Sequence, residues 1–285
     1  MPKTYGYYDS VSTRAGSPPP VFEATHPLVF AHRGGAKLAP ENTLVAFANG
    51  LSYGADGLEL DVHLSRDGVP VVIHDATLER TTGGRGPVAA LTAAELAAVD
   101  AGAKFGADDG YPFRERGHGV PTLVSVFERH PAARVIIEMK HGTAALARAV
   151  VDVVRRMNAA ARVCLGSFQH EAVDAARTLA PEIATSASEP EARWTLHRSW
   201  IRWPWVPRRP YAAFQVPERA GRLQVVTPAF LRQVHREGQV VQVWVVDSEA
   251  DSERLLNWGV DGLISDRPDV TVDVRDRWVT RNGRV

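Results

Sequence analysis

Short runs that are apolar at every position, each closing on an ionisable side chain, constrain this chain more than any other feature. Leu28-Val29-Phe30-Ala31 closes on His32, Val71-Val72-Ile73 on His74, and Val135-Ile136-Ile137 on Glu138. Successive strand residues face opposite sides. A strand apolar on both sides must be covered on both, as in a parallel sheet flanked by helices. The pattern predicts strands over 28–31, 57–62, 70–74, 134–139, 162–167, 183–186, 211–216 or 223–226, 240–246 and 262–265. Amphipathic segments predict helices over 42–52, 92–99, 121–130, 143–157, 170–180, 228–237 and 249–258. Repeated βα units of this kind make an α/β fold that closes into a barrel, with functional residues gathered where the strands end. One stretch resists the scheme, because only twelve residues separate Asp61 from His74, and a parallel crossover needs a helix. Leu64-Ser65-Arg66-Asp67-Gly68 reads as a turn instead, so the barrel is expected to be irregular here, with a hairpin that keeps His74 near the Glu59 carboxylate.

The alternation that defines a strand also fixes its chemistry. In Gly57-Leu58-Glu59-Leu60-Asp61-Val62, Glu59 and Asp61 share one face. Two unpaired carboxylates on a covered face would cost several kcal/mol or more, so they need a cation or hydrogen-bonding partners. Glu138 and Lys140 share a face of the 134–139 strand in the same way. On their own they could simply pair. Together with Glu59 and Asp61, Glu138 completes a three-carboxylate oxygen site suited to a hard divalent ion, Mg²⁺ or Ca²⁺, rather than zinc. His32 and His74 occupy equivalent strand ends, and such a pair can serve as one acid and one base about a phosphorus atom. Arg33 offers a planar, permanently charged fork for phosphate oxygens. Gly34 and Gly35 allow the turn that exposes it. Pro40-Glu41-Asn42-Thr43 reads as a helix start.

The motifs His32-Arg33-Gly34-Gly35, Pro40-Glu41-Asn42-Thr43, Glu59-Leu60-Asp61 and His74-Asp75 resemble those of the glycerophosphodiester phosphodiesterase family. The resemblance continues through Ile137-Glu138-Met139-Lys140, Gly166-Ser167-Phe168, Val243-Trp244-Val245-Val246-Asp247 and Gly259-Val260-Asp261-Gly262-Leu263-Ile264-Ser265-Asp266-Arg267-Pro268. It implies an irregular TIM (β/α)8 barrel with a small insertion after the third strand. One of the two pieces between 211 and 226 is then surplus and is expected to be a loop. It also implies metal-dependent hydrolysis of a glycerophosphodiester to an alcohol and sn-glycerol 3-phosphate. Glu59, Asp61 and Glu138 would hold the ion, Arg33 and Lys140 would meet the phosphate, and His32 and His74 would move protons. Trp244 would line the pocket opposite the phosphate. The chain departs from the family pattern at Val245, where threonine is usual, at Asp247 for asparagine, and at Ser265 for threonine, which bears on substrate preference. Lysophospholipase D activity at the same site, a sphingomyelinase D-like cyclisation and a non-catalytic phosphate- or lipid-binding barrel are the alternatives. The last would have lost a histidine or a metal carboxylate, and none is lost.

The expected organisation is an N-terminal tail over 1–25, a barrel over 26–270 containing the insertion at 76–120, and a C-terminal tail over 271–285. Lys+Arg and Asp+Glu are both 33, so no global field draws the chain to nucleic acid. The single cysteine, Cys164, lies in an apolar strand and is expected to pack rather than react. Met1 to Pro20 is polar and there is no apolar run of about 18 residues; a cytoplasmic location is expected. Residues 194–211 concentrate Trp194, Trp200, Trp203 and Trp205 among four arginines and three prolines, with Arg193 just before them. Tryptophan beside arginine suits peripheral contact with a membrane interface, while packing against the barrel is the competing reading.

Overall fold

A computed structural model describes residues 18–201 and 209–283, with Ile201 described by its backbone alone. Trp203 and Trp205 therefore lie outside the described residues, as do Arg202, Pro204, Pro207 and Arg208. The barrel strands are β1 (Leu28–His32), β2 (Gly57–Leu64), β4 (Arg134–Met139), β5 (Val163–Gly166), β6 (Ala184–Thr185), β7 (Ala213–Pro217), β10 (Val240–Trp244) and β11 (Gly262–Ser265). They pair in parallel in the order β6-β5-β4-β2-β1-β11-β10-β7. A single parallel bridge from Ser186 to Ala213 joins the two ends and nearly closes the ring. β3 (Pro70–Val72) runs antiparallel to β2, Val62 opposite Val72 and Leu64 opposite Pro70. The expected hairpin is present, tightened by the Ser65 hydroxyl on Asp67 and by Gly68 at φ 76. Of the two pieces between 211 and 226, the first is the barrel strand. The second forms only a short ribbon, β8 (Arg219–Ala220) with β9 (Leu223–Gln224).

The outer layer consists of α1 (Leu44–Ser52), α3 (Leu123–Arg129), α4 (Ala144–Arg156), α5 (His170–Leu179), α6 (Glu189–Ile201), α7 (Pro228–Arg236), α8 (Glu249–Trp258) and α9 (Pro268–Asn282). Threonine or serine caps start five of these, with Thr43, Thr122, Thr143, Thr227 and Ser248 each accepting a backbone N–H. α2 (Ala93–Ala97) is the helix of the 76–120 insertion, opened by a capping box between Thr92 and Glu95. Apolar outer faces of β2, β4 and β5 pack on α3, α4 and α5, while the barrel interior is filled by Leu28, Phe30, Ile136, Cys164, Ala213 and Ile264.

Three expectations need correction. Helices α6 and α9 were not anticipated. Residues from 271 on, drawn as a tail, form most of α9, with Trp278 buried against α8 and its indole N–H donating to Asn257. Part of the segment drawn as an N-terminal tail also folds inward: Val21 and Phe22, on a 3₁₀ turn, plug the barrel interior beside Leu28 and Phe30. Among the described residues, no helix is long and apolar enough to cross a membrane.

Candidate active site

Parallel strands end together, so the barrel gathers its ionisable strand ends at one mouth. β2 projects Glu59 and Asp61, and β4 lies beside it with Asp61 opposite Glu138. One oxygen from each of Glu59, Asp61 and Glu138 lies within 4.8 Å of the others. Arg33 and Lys140 close on the same group: Arg33 Nε is 3.1 Å from Asp61, and Lys140 Nζ is 3.3 Å from Asp61 and 3.2 Å from Glu138. Glu138 thus pairs with Lys140 and also stands within the carboxylate group.

Burial raises the pKa of Glu59 and the Asp61 charge beside it adds to that, moving it up to about 8. Glu138 is raised by burial, with Lys140 opposing. Asp61 moves the other way. Burial works against its charge, but Arg33, Lys140 and a hydrogen bond from Asn42 outweigh burial and lower its pKa. The buried Asp61 Oδ1 has no hydrogen bond of good geometry, only the Lys140 ammonium at 3.3 Å. A lone pair so placed, in a set of three hard oxygen donors, fits a divalent cation.

Each histidine is held by a carboxylate at Nδ1. Asp266, just beyond β11, lies 2.6 Å from His32 Nδ1, and Asp75 lies 2.5 Å from His74 Nδ1. The Nε2 atom of His32 sits 3.8 Å from Glu59, on the side of the carboxylates. Burial would lower the pKa of His32, but Asp266 and Glu59 reverse this and raise it; for His74 burial prevails and the pKa falls. A further histidine supports this arrangement. His63 Nε2 lies 2.9 Å from the His74 carbonyl, which can only accept, so His63 Nδ1 is left to accept from His141 Nε2 at 2.8 Å.

The loop after β1 is shaped by contact rather than by flexibility. Gly34 has φ 88, and a Cβ there would lie 2.6 Å from the Ala46 backbone of α1. Glu41 links Arg33 to Arg80 of the insertion, and Arg80 in turn donates to Asp75. Asn42 amide and Asp61 exchange two hydrogen bonds. Sequence reasoning gave Glu41 and Asn42 no role beyond the loop, and it assigned none to Asp75, Asp266, Arg80 or His63. Asp75 and Asp266 stood within quoted motifs, but nothing in a linear pattern shows which histidine each would meet.

His32, Arg33, Glu59, His74, Glu138, Lys140 and Trp244 all border one cleft of about 300 Å³, so the expected site residues come together; Asp61 lies behind it, in the carboxylate cluster. Across from the carboxylates the cleft is lined by Ser186, Gln215 and the buried Val216, with the exposed Phe168, Val245 and Glu189 at its edge. Trp244 packs edge-on against Phe168, ring centres 5.9 Å apart. At the departures from the family pattern, Asp247 Oδ1 accepts from Ser265 Oγ and from the Asp266 backbone N–H, and its other oxygen meets Lys37 at 2.8 Å. These residues hold the strand end that aims Asp266 at His32.

Residues 32–270 match the model of the glycerophosphoryl diester phosphodiesterase family. The chain is 33% identical to a glycerophosphodiester phosphodiesterase of Caldanaerobacter subterraneus subsp. tengcongensis, over 87% of this chain and 97% of that one. The solved glycerophosphodiester phosphodiesterase of Agrobacterium tumefaciens superposes with a TM-score of 0.71 at 30% identity, covering 88% of this chain and 99% of that one. A phosphodiesterase of Oleispira antarctica, solved in complex with the product sn-glycerol-3-phosphate, gives 0.71 at 27% identity over 88% of this chain and 97% of that one.

Proposed function

The chain belongs to the glycerophosphoryl diester phosphodiesterase family, and from that premise we propose how its cleft performs the reaction. The protein is a hydrolase that converts a glycerophosphodiester to an alcohol and sn-glycerol 3-phosphate, and the family works with a divalent metal. The observation that carries the assignment is the convergence of three carboxylates, two cations and two carboxylate-held histidines on a single cleft.

Glu59, Asp61 and Glu138 would hold the ion, Mg²⁺ or Ca²⁺. When bound, it supplies Lewis-acid stabilisation of charge on the phosphoryl oxygens. Arg33 and Lys140 neutralise the rest of that charge from fixed positions. Asp266 and Asp75 keep a proton on Nδ1 of His32 and His74, so each ring presents Nε2 for proton exchange with nucleophile or leaving group. Trp244 and Phe168 exclude water from the alcohol side. The exposed apolar side chains Phe168 and Val245 at the edge of the cleft favour a second substrate class, a lysophospholipid cleaved at the same bond. Peripheral membrane contact belongs to that reading, through Trp194 and Trp200 of the described part of 194–211. A cytoplasmic place of action is consistent with the single cysteine being buried and free.

The test is release of glycerol 3-phosphate from several glycerophosphodiesters and lysophospholipids, with each ion in turn. Chelation should abolish turnover and Mg²⁺ or Ca²⁺ restore it. Full activity of thoroughly chelated enzyme, or normal metal binding and turnover by Glu59→Gln, would refute the carboxylate site.

A further inference from the structure

Helix α6 is built inside out. Apart from Leu196, which enters the apolar core, its buried positions are largely polar, with Thr195, Arg198 and Ser199 inside, while Trp194 and Trp200 stand 52% and 53% exposed. The exposed aromatics are ordered: the His197 ring lies between them, nearly parallel to Trp194 at 6.4 Å and 5.9 Å from Trp200. A surface helix ordinarily turns its apolar stripe to the core. Here the buried face is held by Leu196 in the core and by a salt bridge, Arg198 to Glu237 at 2.6 Å, and the two tryptophans lie outside that packing.

Basic groups frame these rings. Arg193, exposed and paired at 3.2 Å with the exposed Glu189 one turn earlier, precedes Trp194 on α6, and a groove between α6 and α7 has Trp200 on one wall with Arg232 and Arg236 on the other. The arrangement continues into the active site. Phe168 and Glu189 border the catalytic cleft and also the groove that runs past Arg193 to Trp194 and His197.

We propose that the outer face of α6 and α7 docks on an anionic phospholipid bilayer, with Trp194 and Trp200 at headgroup depth and Arg193, Arg232 and Arg236 against lipid phosphates. Indole rings favour the membrane interface, and each basic residue near an anionic surface adds attraction that salt screens. Docked this way, the catalytic mouth opens at the bilayer edge, where a lysophospholipid can reach it along Phe168. The proposal rests on the lysophospholipid reading above for its purpose, but not for its test.

Full-length protein is mixed with vesicles of phosphatidylcholine containing phosphatidylglycerol and sedimented. Binding is expected, falling as salt rises. Trp194→Ser with Trp200→Ser should weaken partitioning about tenfold or more, and Arg232→Gln with Arg236→Gln should remove the preference for phosphatidylglycerol over pure phosphatidylcholine. Both variants should hydrolyse a soluble glycerophosphodiester at the parental kcat/KM. That activity reads the phosphodiesterase site separately, so a dead catalyst and a missing docking face are told apart. Failure of the parental chain to bind vesicles, or undiminished binding by the folded double tryptophan variant, would overturn the proposal. So would binding indifferent to both lipid charge and salt.

Discussion

Glu59 has its ionisation moved upward by burial, and the sign of that shift has consequences beyond catalysis. With a pKa moved from 4.5 up to about 8, first by burial and then by Asp61, it holds a proton near neutrality in chelated protein. A cation must displace that proton. Binding at about pH 7 is therefore expected to release a proton and to tighten as pH rises, which calorimetry in buffers of differing ionisation enthalpy will read. Folding follows the same linkage. Between 4.5 and about 8 the native chain keeps a proton that the unfolded chain has lost, so chelated protein should lose stability as pH rises through that window. Bound cation should flatten the dependence; a melting temperature already flat in chelated protein would contradict the shift. For the histidines, His32→Ala and His74→Ala should each lower kcat by about 10²-fold with the fold intact. Asp266→Asn and Asp75→Asn should cost about 10- to 100-fold through the orientation of those rings, and parental rates in either would remove its positioning role. The alternation of Glu59 with Asp61 made the carboxylate face legible in sequence, because strand period is local. The pairing of Asp266 with His32 spans 234 residues and is fixed only when β11 lies beside β1.

At the level of elements, the barrel strands were legible and two helices were not, for opposite reasons. α9 contains Val270-Thr271-Val272-Asp273-Val274, whose β-branched, period-two pattern resembles a strand. It is helical because Pro268 opens it and Thr271, Val274, Arg275 and Trp278, spaced i, i+3, i+4 and i+7, share a buried face. α6 was hidden because its buried face mixes Leu196 with Thr195, Arg198 and Ser199 while Trp194 and Trp200 face outward, which leaves no apolar stripe to detect. Its buried Arg198 supplies a prediction. Arg198→Ala leaves Glu237 beside α7 without its cation, so unfolding free energy should fall by about 3–5 kcal/mol. Trp194→Ser, on the opposite face of the same helix, should change it by about 0.5 kcal/mol or less. Urea titrations of the two variants compare them directly, and equal losses would mean that α6 is seated the other way round.

For the molecule as a whole, the question is where the folded unit ends, since the sequence pattern placed its limits at 26 and 270. The barrel has two ends. The catalytic mouth is closed by loops and the insertion, while the opposite end is sealed by chain from outside those limits. Val21 and Phe22 fill the interior beneath Phe30, Phe22 meeting it edge-on at 6.3 Å. α9 lays Val274 and Trp278 against the α8 side of the core, and Arg275 places a guanidinium 2.6 Å from Asp56, which also accepts the Val29 backbone N–H. Removing both flanks strips these side chains from cores that the rest of the chain cannot refill. Loss of Trp278 alone is worth about 3–5 kcal/mol, against a total of about 5–15 kcal/mol for a typical domain. A chain trimmed to 26–270 is therefore expected not to fold stably, as its melting curve and glycerophosphodiesterase activity beside those of the full chain will show. Trp278→Ala in the full chain separates packing from length, because it should lower stability by about the amount above without removing a residue. If the 26–270 chain instead melts and turns over like the full protein, the flanking segments are accessory and the barrel seals its lower end by itself.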